Sequence, residues 1–325
     1  MSEPDVFYEI QGVPLIDRRW ASDPVRTDSG PVYGAWEALQ GTSLLPSLPG
    51  FRVTMIDRPG IQGEAQVQNA PVMAKGIPLV VRFYAVQGDP TSPDYGRAGR
   101  TVGERAHFLD TNVREFLFRS QIGAAGSKGN LRLSRQLGVN GEAMHTVGRV
   151  ISSADPEYGP GYHEAEYTFI FHSQIGTWYR DWQYVSATAR AGRTTAIEVP
   201  MGTAPVPDAR IAIRSQGTGV SMPSGTRIVN DQGRGFEMRG TSGDGRWRIM
   251  DAESRWAVTM QTSTEQPDWS LEPTNPYQMA EVERPSGTAL EINPGVSGLS
   301  RRVGHVIITP TADVYVQIAL RPRYF

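Results

Sequence analysis

The sequence predicts a mainly β protein of two domains, a β-barrel that holds one helix followed by a β-sandwich. The 35 glycines and 24 prolines among the 325 residues are spread between short apolar runs, which is typical of a chain with many turns. Those runs are rich in Val, Ile, Phe and Tyr, and several alternate apolar and polar residues, as strands do when one face is buried. A chain of this length can form two domains with separate cores.

The first fifty residues are predicted to form an irregular arm. Prolines interrupt every short pattern there, and the stretch DRRWASDPVRTDSGP from Asp17 has no period. We expect such an arm to need a partner surface on which to lie. The prolines that interrupt these patterns include Pro14, Pro24, Pro31, Pro46 and Pro49.

Strands are predicted at close spacing after this arm. They are FRVTMID from Phe51, PLVVRFYAV from Pro78, LRLSRQL from Leu131, HTVGRVIS from His145 and EAEYTFIFHS from Glu164. Residues 131–137 and 144–151 are expected to pair as a hairpin, because the Asn-Gly pair between them supplies the positive φ that a tight turn needs.

One helix is predicted at about residues 101–121. Thr101 and Glu104 have the spacing of a capping box, which favours a helix start at this point. Apolar residues then recur at three- and four-residue steps, and we expect this stripe to pack on the barrel. The stripe consists of Ala106, Leu109, Val113, Phe116 and Leu117.

The second half of the chain is predicted to be a β-sandwich. From Thr194 onward it contains eight or more short strand patterns and no helix pattern. The two halves show no internal repeat, which indicates two different folds. The predicted domains are residues 1–190 and 191–325.

The stretch ADPEYGPGYHEAEYTFIFHS, residues 154–173, collects the residue types of a hydrolase site or a metal cluster. In a strand, alternate residues share a face, so His163 and Phe169 point one way and His172 points the other. The two histidines therefore cannot bind one ion from a regular strand. We interpret the stretch as a turn and a strand, with an aromatic face in the core and a charged face toward water or another subunit.

No catalytic, cofactor or metal site is predicted. The absence of cysteine excludes thiolate metal sites, disulfides and cysteine nucleophiles. The sequence has no HExxH, no phosphate-binding GxxxxGK[ST] and no GxGxxG between a strand and a helix. GVSGLS from Gly295 lacks the second glycine of a nucleophile elbow. NDQGRG from Asn230 and SGDGRW from Ser242 are interpreted as hairpin turns rather than calcium loops.

The charge pattern disfavours nucleic acid and membranes as partners. The formal net charge is −2, and the 32 basic residues are scattered without a run of five or more. The N-terminus is acidic where a signal peptide is basic, and no apolar run approaches the roughly 18 residues of a membrane span. We therefore expect a chain made and kept in a cytosol, or in a particle assembled there.

The segment TWYRDWQY, residues 177–184, is the densest cluster of aromatic residues and arginine. These residue types dominate buried interfaces, since they offer large rigid contact areas with a polar group. One interpretation is that the segment forms an interface between domains or subunits. The other is that its tryptophans simply cover the hydrophobic core at the domain junction. The candidate interface residues are Trp178, Tyr179, Arg180, Trp182 and Tyr184.

The order of these features resembles the distal tail protein of long-tailed siphophages. The resemblance rests on the strand AEYTFIF followed by GTWYRDWQY, on TAIEVPMGTAPVPDARIAIR at the start of the second domain, and on LEINPG and VYVQIALRPRYF near its end. It implies a split β-barrel with one helix, followed by a sandwich that is galectin-like in shape. Because the HxNxR and WGxE motifs are absent, sugar binding is not implied.

The same resemblance implies a structural, non-enzymatic role in the virion, with no cofactor. Six copies would form a ring at the distal end of the tail, assembled in the host cytoplasm. The implied partners are further copies of this chain, the tail tube protein, the tail hub protein and a tail fibre or receptor-binding protein, with DNA only as passing cargo and no membrane.

Two other functions stay open from the sequence. A carbohydrate-binding, lectin-like protein would use the same sandwich, with Trp247 or Trp256 as exposed platforms for sugar rings. A β-rich hydrolase would use carboxylates that lie far apart in the chain. Fold alone does not decide among these functions.

Overall fold

The computed structural model describes residues 6–39, 42, 55–57, 64–66, 75–126, 130–137, 141–153, 156–173, 175–217, 225–238, 247–251, 257–259, 266–270, 282–283, 290–297 and 301–324. The chain divides into two compact units, Met1–Trp178 and Tyr179–Tyr324.

The first unit is built on one antiparallel sheet. The strands of the unit are β1 (Val6–Ile10), β2 (Val13–Pro14), β3 (Val25–Thr27), β4 (Gly30–Val32), β5 (Trp36–Ala38), β6 (Met55–Asp57), β7 (Glu64–Gln66), β8 (Lys75–Tyr84), β9 (Leu131–Leu137), β10 (Ala143–Ser153), β11 (Glu157–Tyr158) and β12 (Glu164–Ser173). The pairs β3–β4 and β6–β7 form two separate two-stranded sheets. The main path through the sheet is β2-β1-β9-β10-β12-β8-β5, which forms a curled half-barrel. The predicted pairing of residues 131–137 with the next strand is confirmed by β9 and β10.

The prediction of an irregular arm is wrong for residues 6–39. Strand β1 pairs with β9 and β5 pairs with β8, so both belong to the main sheet. Leu15 and Trp36 are buried, and the Trp36 indole N–H donates to the Pro14 carbonyl at 2.9 Å. These strands are only two to five residues long and their partners lie far along the chain, so the sequence shows no local period. Residues 43–50 lie outside the described part of the chain.

The predicted helix is confirmed as α1 (Val102–Gly126). The capping box forms as expected: the Glu104 N–H donates to Thr101 Oγ1 at 3.1 Å, and the Thr101 N–H donates to Glu104 Oε2 at 3.3 Å. Main-chain N–H donation from Arg100 and Thr101 lowers the pKa of Glu104. The apolar stripe packs inward, with the Phe116 ring 5.6 Å from the Phe83 ring of β8.

Strand β12 covers the predicted residues 164–173, and its aromatic face lies in the core as predicted. Phe169 and Phe171 are buried. Glu166 lies on the other face, where it pairs with Arg82 of β8. The two histidines are apart: His163 pairs with Asp28 at 3.3 Å, whereas His172 lies opposite Gly76 in the ladder with β8. This stretch is a turn and a sheet strand.

The second unit is a sandwich of two sheets, as predicted. Its strands are β14 (Gln183–Ala189), β15 (Thr195–Pro200), β16 (Arg210–Ser215), β17 (Arg227–Val229), β18 (Gly235–Met238), β19 (Arg248–Asp251), β20 (Ala257–Thr259), β21 (Val282–Glu283), β22 (Gly295–Ser297), β23 (Arg301–Thr309) and β24 (Val314–Leu320). Two short strands lie outside these two sheets: β13 (Trp178–Tyr179), which spans the unit boundary, and β25 (Arg323–Tyr324). One sheet has the order β14-β24-β16-β19-β20, and the other has the order β15-β23-β17-β18-β21 with β22 beside β23. Ile211 and Ile318 from the first sheet and Val306 and Phe236 from the second share one buried core.

The glycine-containing motifs of the second unit form strands and turns. Asn230 closes the β17–β18 hairpin, where its Oδ1 accepts from the N–H groups of Gln232 at 3.0 Å and Arg234 at 2.9 Å. The start of GVSGLS is strand β22. The turn predicted at SGDGRW falls on residues 242–246, which lie outside the described part of the chain.

The unit boundary lies earlier in the chain than the predicted one at 190/191. Strand β14 pairs along its whole length with β24, from Gln183 opposite Leu320 to Ala189 opposite Val314. Residues 183–189 therefore belong to the sandwich, because their hydrogen-bond partners lie near the end of the chain.

Candidate interaction surface

The cluster at residues 177–184 is divided at its start by the boundary between the two units. Trp178, in the first unit, is buried, and the Arg135 guanidinium carbon lies 4.2 Å from its ring centroid. Burial lowers the pKa of Arg135 and raises the pKa of Tyr8, its partner opposite in the sheet, to about 12. Trp178 is thus held by a stacked, desolvated guanidinium within its own unit.

In the second unit, arginines stack on the next aromatic residues of the cluster. The Arg321 guanidinium carbon lies 4.5 Å from the Tyr179 ring centroid and 4.7 Å from that of Trp182. The buried carboxylate of Asp208 pairs with Arg321 and, at 3.1 Å, with Arg323. The carboxylate therefore fixes a guanidinium that in turn fixes two aromatic rings.

Arg180 is also engaged inside the second unit. Its guanidinium carbon lies 4.8 Å from the Tyr324 ring centroid, and its main-chain N–H donates to the Pro322 carbonyl at 3.0 Å. The segment before β14 is thus attached to the end of the chain by both main-chain and side-chain contacts.

Tyr184 is the one candidate of the five whose side chain is largely exposed, at 55%. Along β14, Val185 and Ala187 pack on the sandwich core, so Tyr184 points to the outer face of the sheet. Its neighbour across the ladder is Ala319, a small residue that leaves space beside the ring.

This space is a pocket of about 200 Å³, which we call the aromatic pocket. The Tyr184 and Trp269 ring centroids are 5.9 Å apart, and Arg210 Nη1 donates to the Trp269 carbonyl at 2.9 Å. Arg210 also pairs with Asp251 at 3.8 Å. The lining residues are Trp182, Tyr184, Arg210, Trp269 and Ala319.

The sequence missed three of these residues, Arg210, Trp269 and Ala319, because they lie far from the cluster in the chain. One general signal was present: only Lys75 and Lys128 of the 32 basic residues are lysines, and the rest are arginines. Arginine stacks on aromatic rings and pairs in a planar fork with carboxylates, whereas lysine acts as a hydrated point charge. The excess of arginine is therefore consistent with stacks of this kind.

The expectation that Trp247 could serve as an exposed sugar platform is wrong. Trp247 is 2% exposed, and the Arg214 guanidinium carbon lies 5.1 Å from its ring centroid. It packs with Ala212 and Ile249 on the outer face of the β16–β19 pair. The other candidate platform, Trp256, lies outside the described residues.

The described residues contain no group of three or more His, Asp or Glu side chains that could hold a metal ion. The histidines lie apart. His145 is buried, with its Nδ1 2.9 Å from Ser134 Oγ, and His305 Nδ1 lies 3.3 Å from Asp231 Oδ2. Among the helical segments that the structure describes, none is both long and apolar enough to cross a membrane.

The described residues form a curled half-barrel sheet with one α-helix and a two-sheet sandwich, a fold similar to that of a phage tail protein, Dit. The similar structure is that of Dit from phage SPP1: the match covers 98% of this chain and 99% of that one, with a TM-score of 0.54 and 10% sequence identity. Two structures of the phage P2 baseplate, with calcium and with strontium, each match 94% of this chain at a TM-score of 0.31 and 12% identity. No family model and no curated protein matches the sequence.

Proposed function

We propose that the protein is a structural component of a phage tail tip. Six copies form a ring at the distal end of the tail, which connects the tail tube to the hub and to the receptor-binding apparatus. The observation that carries this proposal is the likeness in fold to SPP1 Dit over nearly the whole of both chains. That protein is described as a paradigm of the hub adsorption apparatus in phages that infect Gram-positive bacteria.

A ring of identical subunits places two demands on the surface of each copy. Each contact joins two different patches of neighbouring copies. The rotation that relates one copy to the next must also close the ring after a fixed number of copies. The aromatic pocket fits one such patch, since an exposed tyrosine beside tryptophan and arginine has the composition of residues that dominate binding energy. We assign the pocket to a contact with another subunit of the tail.

The proposal includes no enzymatic activity and no cofactor. The chain acts through its shape and its contacts, and DNA passes through the ring as cargo. A formal net charge of −2 suits this role, because a strongly basic wall would bind phosphates and retard the DNA.

The test is the oligomeric state of the purified chain. We expect negative-stain images to show sixfold rings with an open centre, and light scattering to give about six times the 35.7 kDa mass of one chain. Rings should form alone or on addition of the tube or hub protein. A strict monomer at every concentration, with no ring in the presence of either protein, would contradict the proposal.

The role of the aromatic pocket is tested by Tyr184→Ala. A tyrosine at the centre of an interface accounts for enough binding energy that its loss should raise the concentration at half assembly by about tenfold. The matched control is Tyr158→Ala in the first unit, where the tyrosine is 52% exposed. Equal assembly of the Tyr184 variant and the wild type would remove the pocket from the contact and leave the ring itself untouched.

A further inference from the structure

A second pocket, whose charged lining residues are mainly arginines, lies in the first unit and has no part in the function proposed above. It has a volume of about 440 Å³ and lies between the tip of the β3–β4 hairpin, the loop before α1, the first turn of α1 and the residue before β12. We call it the arginine pocket. Its charged lining residues are Arg26, Asp28, Arg97, Arg100, Arg105 and His163.

The walls of the arginine pocket are held by main-chain hydrogen bonds. The Ala85 N–H donates to the His163 carbonyl at 3.0 Å, and the Gly99 N–H donates to the Ala85 carbonyl at 3.0 Å. Arg105 Nε donates to the Gly161 carbonyl at 2.6 Å, which ties α1 to the turn before β12. The pocket is therefore already formed, and a ligand need not order it.

Most of the positive charge in the pocket has no carboxylate partner. Arg97 pairs with Glu104 at 3.4 Å, but the two hydrogen bonds of Arg105 go to carbonyl oxygens. Arg26 and Arg100 are exposed, and their side chains make no hydrogen bond or ion pair with any residue in the described ranges. At least two guanidinium groups thus remain available to a ligand.

Several other guanidinium groups of this chain are paired with carboxylates. Examples are Arg321 with Asp208, Arg82 with Glu166, and Arg114 with Asp110 at 2.8 Å. The planar guanidinium matches a carboxylate or a phosphate with two parallel hydrogen bonds. The ligand class of the pocket is therefore an oxyanion with more than one negative group.

Two features favour a polypeptide over a nucleic acid or a free phosphate. Among the described residues, no Phe, Tyr or Trp ring lines the pocket, so bases would find no stacking platform there of the kind that single-strand binders use. The lining also includes the carboxylate of Asp28, which is 81% exposed and can accept a hydrogen bond from a donor group that a phosphate dianion lacks. A peptide brings N–H donors as well as carboxylates, so it can satisfy both kinds of lining group.

We propose that the arginine pocket docks an acidic segment of another protein chain. The Asp or Glu carboxylates of this segment receive hydrogen bonds from Arg26 and Arg100, and Arg105 adds its positive charge to the lining. The binding chemistry stands on the pocket alone, whereas the identification of that chain as a tail component rests on the proposed function.

The experiment measures binding of a short synthetic peptide of alternating glutamate and glycine to the full chain by calorimetry, at low and high NaCl. We expect binding that weakens with salt, because these guanidiniums are exposed. The double variant Arg26→Gln with Arg100→Gln should bind about fivefold more weakly or worse, since it removes two exposed ion pairs. The control is Arg114→Gln, which changes an exposed arginine on α1 outside the pocket, and this variant should bind as the wild type does.

Several outcomes would overturn the inference. One is no binding of the peptide, and another is equal binding by the double variant and the wild type. A third is that pyrophosphate or an oligothymidylate binds more tightly than the peptide, and that the double variant loses this binding. That result would make the pocket a phosphate site. Ring formation is scored separately: rings without peptide binding contradict only this inference, and peptide binding by a strict monomer contradicts only the proposed function.

Discussion

Phe116→Ala should destabilise the first unit by about 3–5 kcal/mol, the usual cost of removing a buried aromatic ring from a core. Phe116 is 2% exposed, and its ring centroid lies 5.5 Å from that of Trp36 and 6.0 Å from that of Phe169. The ring therefore joins α1 to β5 and β12, and alanine leaves a cavity among side chains that cannot close over it. We expect the melting temperature of the first unit to fall by about 10 °C.

The control for this variant lies two residues further along the same helix. Phe118 is 66% exposed, so Phe118→Ala removes the same atoms without creating a cavity, and alanine is the better helix former. We expect its free energy of unfolding to stay within about 0.5 kcal/mol of the wild type. Calorimetry of both variants at one protein concentration checks the prediction. Equal melting of the two variants would mean that α1 does not dock through Phe116.

The elements that the sequence predicted best are those with a local signal. Strand β12 has a mainly aromatic face at alternate positions, Tyr167, Phe169 and Phe171, and the structure gives it the predicted bounds, 164–173. Helix α1 starts where Thr101 and Glu104 indicated, because a capping box needs only residues three positions apart. In both cases one stretch of chain contains the whole pattern.

The strands of residues 6–39 could not be predicted in the same way. Strand β1 is paired along its length with β9, from Val6 opposite Leu137 to Ile10 opposite Leu133. Neither the proline-rich spacing nor the short apolar runs indicate that partner, and only the tertiary pairing makes β1 a strand. The placement of β14 with the sandwich has the same origin, since its partner β24 lies near the end of the chain.

The candidate surface was predictable in composition but not in geometry. The aromatic residues of 177–184 were evident, and four of the five candidates make aromatic–arginine contacts within their own units. Their role in an interface stays a prediction. Asp208, which positions Arg321 and Arg323, gave no signal because it stands in a proline-rich connection more than a hundred residues before its partners.

Asp208→Asn should therefore destabilise the second unit by about 3 kcal/mol. Asp208 is 7% exposed and neutralises two guanidinium groups, and removing one partner of a buried ion pair leaves the remaining charge uncompensated. We place the loss at the lower end of the usual range, because the Arg321 side chain is 27% exposed and can be partly rehydrated. Asp110→Asn is the control: its pair with Arg114 is exposed on α1, and such pairs contribute at most about 1 kcal/mol.

The same carboxylate gives a pH dependence whose sign is fixed. Burial alone would raise the pKa of Asp208, but Arg323 and Arg321 outweigh burial and lower it below its ordinary value. A carboxyl group whose pKa is lower in the folded state than in the unfolded state stabilises the fold when it is charged. This contribution is complete above the unfolded pKa of about 3.9, and it is lost as the pH falls from about 3.9 through the folded pKa. In acid titrations of the free energy of unfolding, the wild type should lose stability over this range more steeply than Asp208→Asn. Parallel curves for the two proteins would show that Asp208 does not keep its charge in the folded state. That result would contradict the role of Asp208 in positioning Arg321 against the aromatic rings.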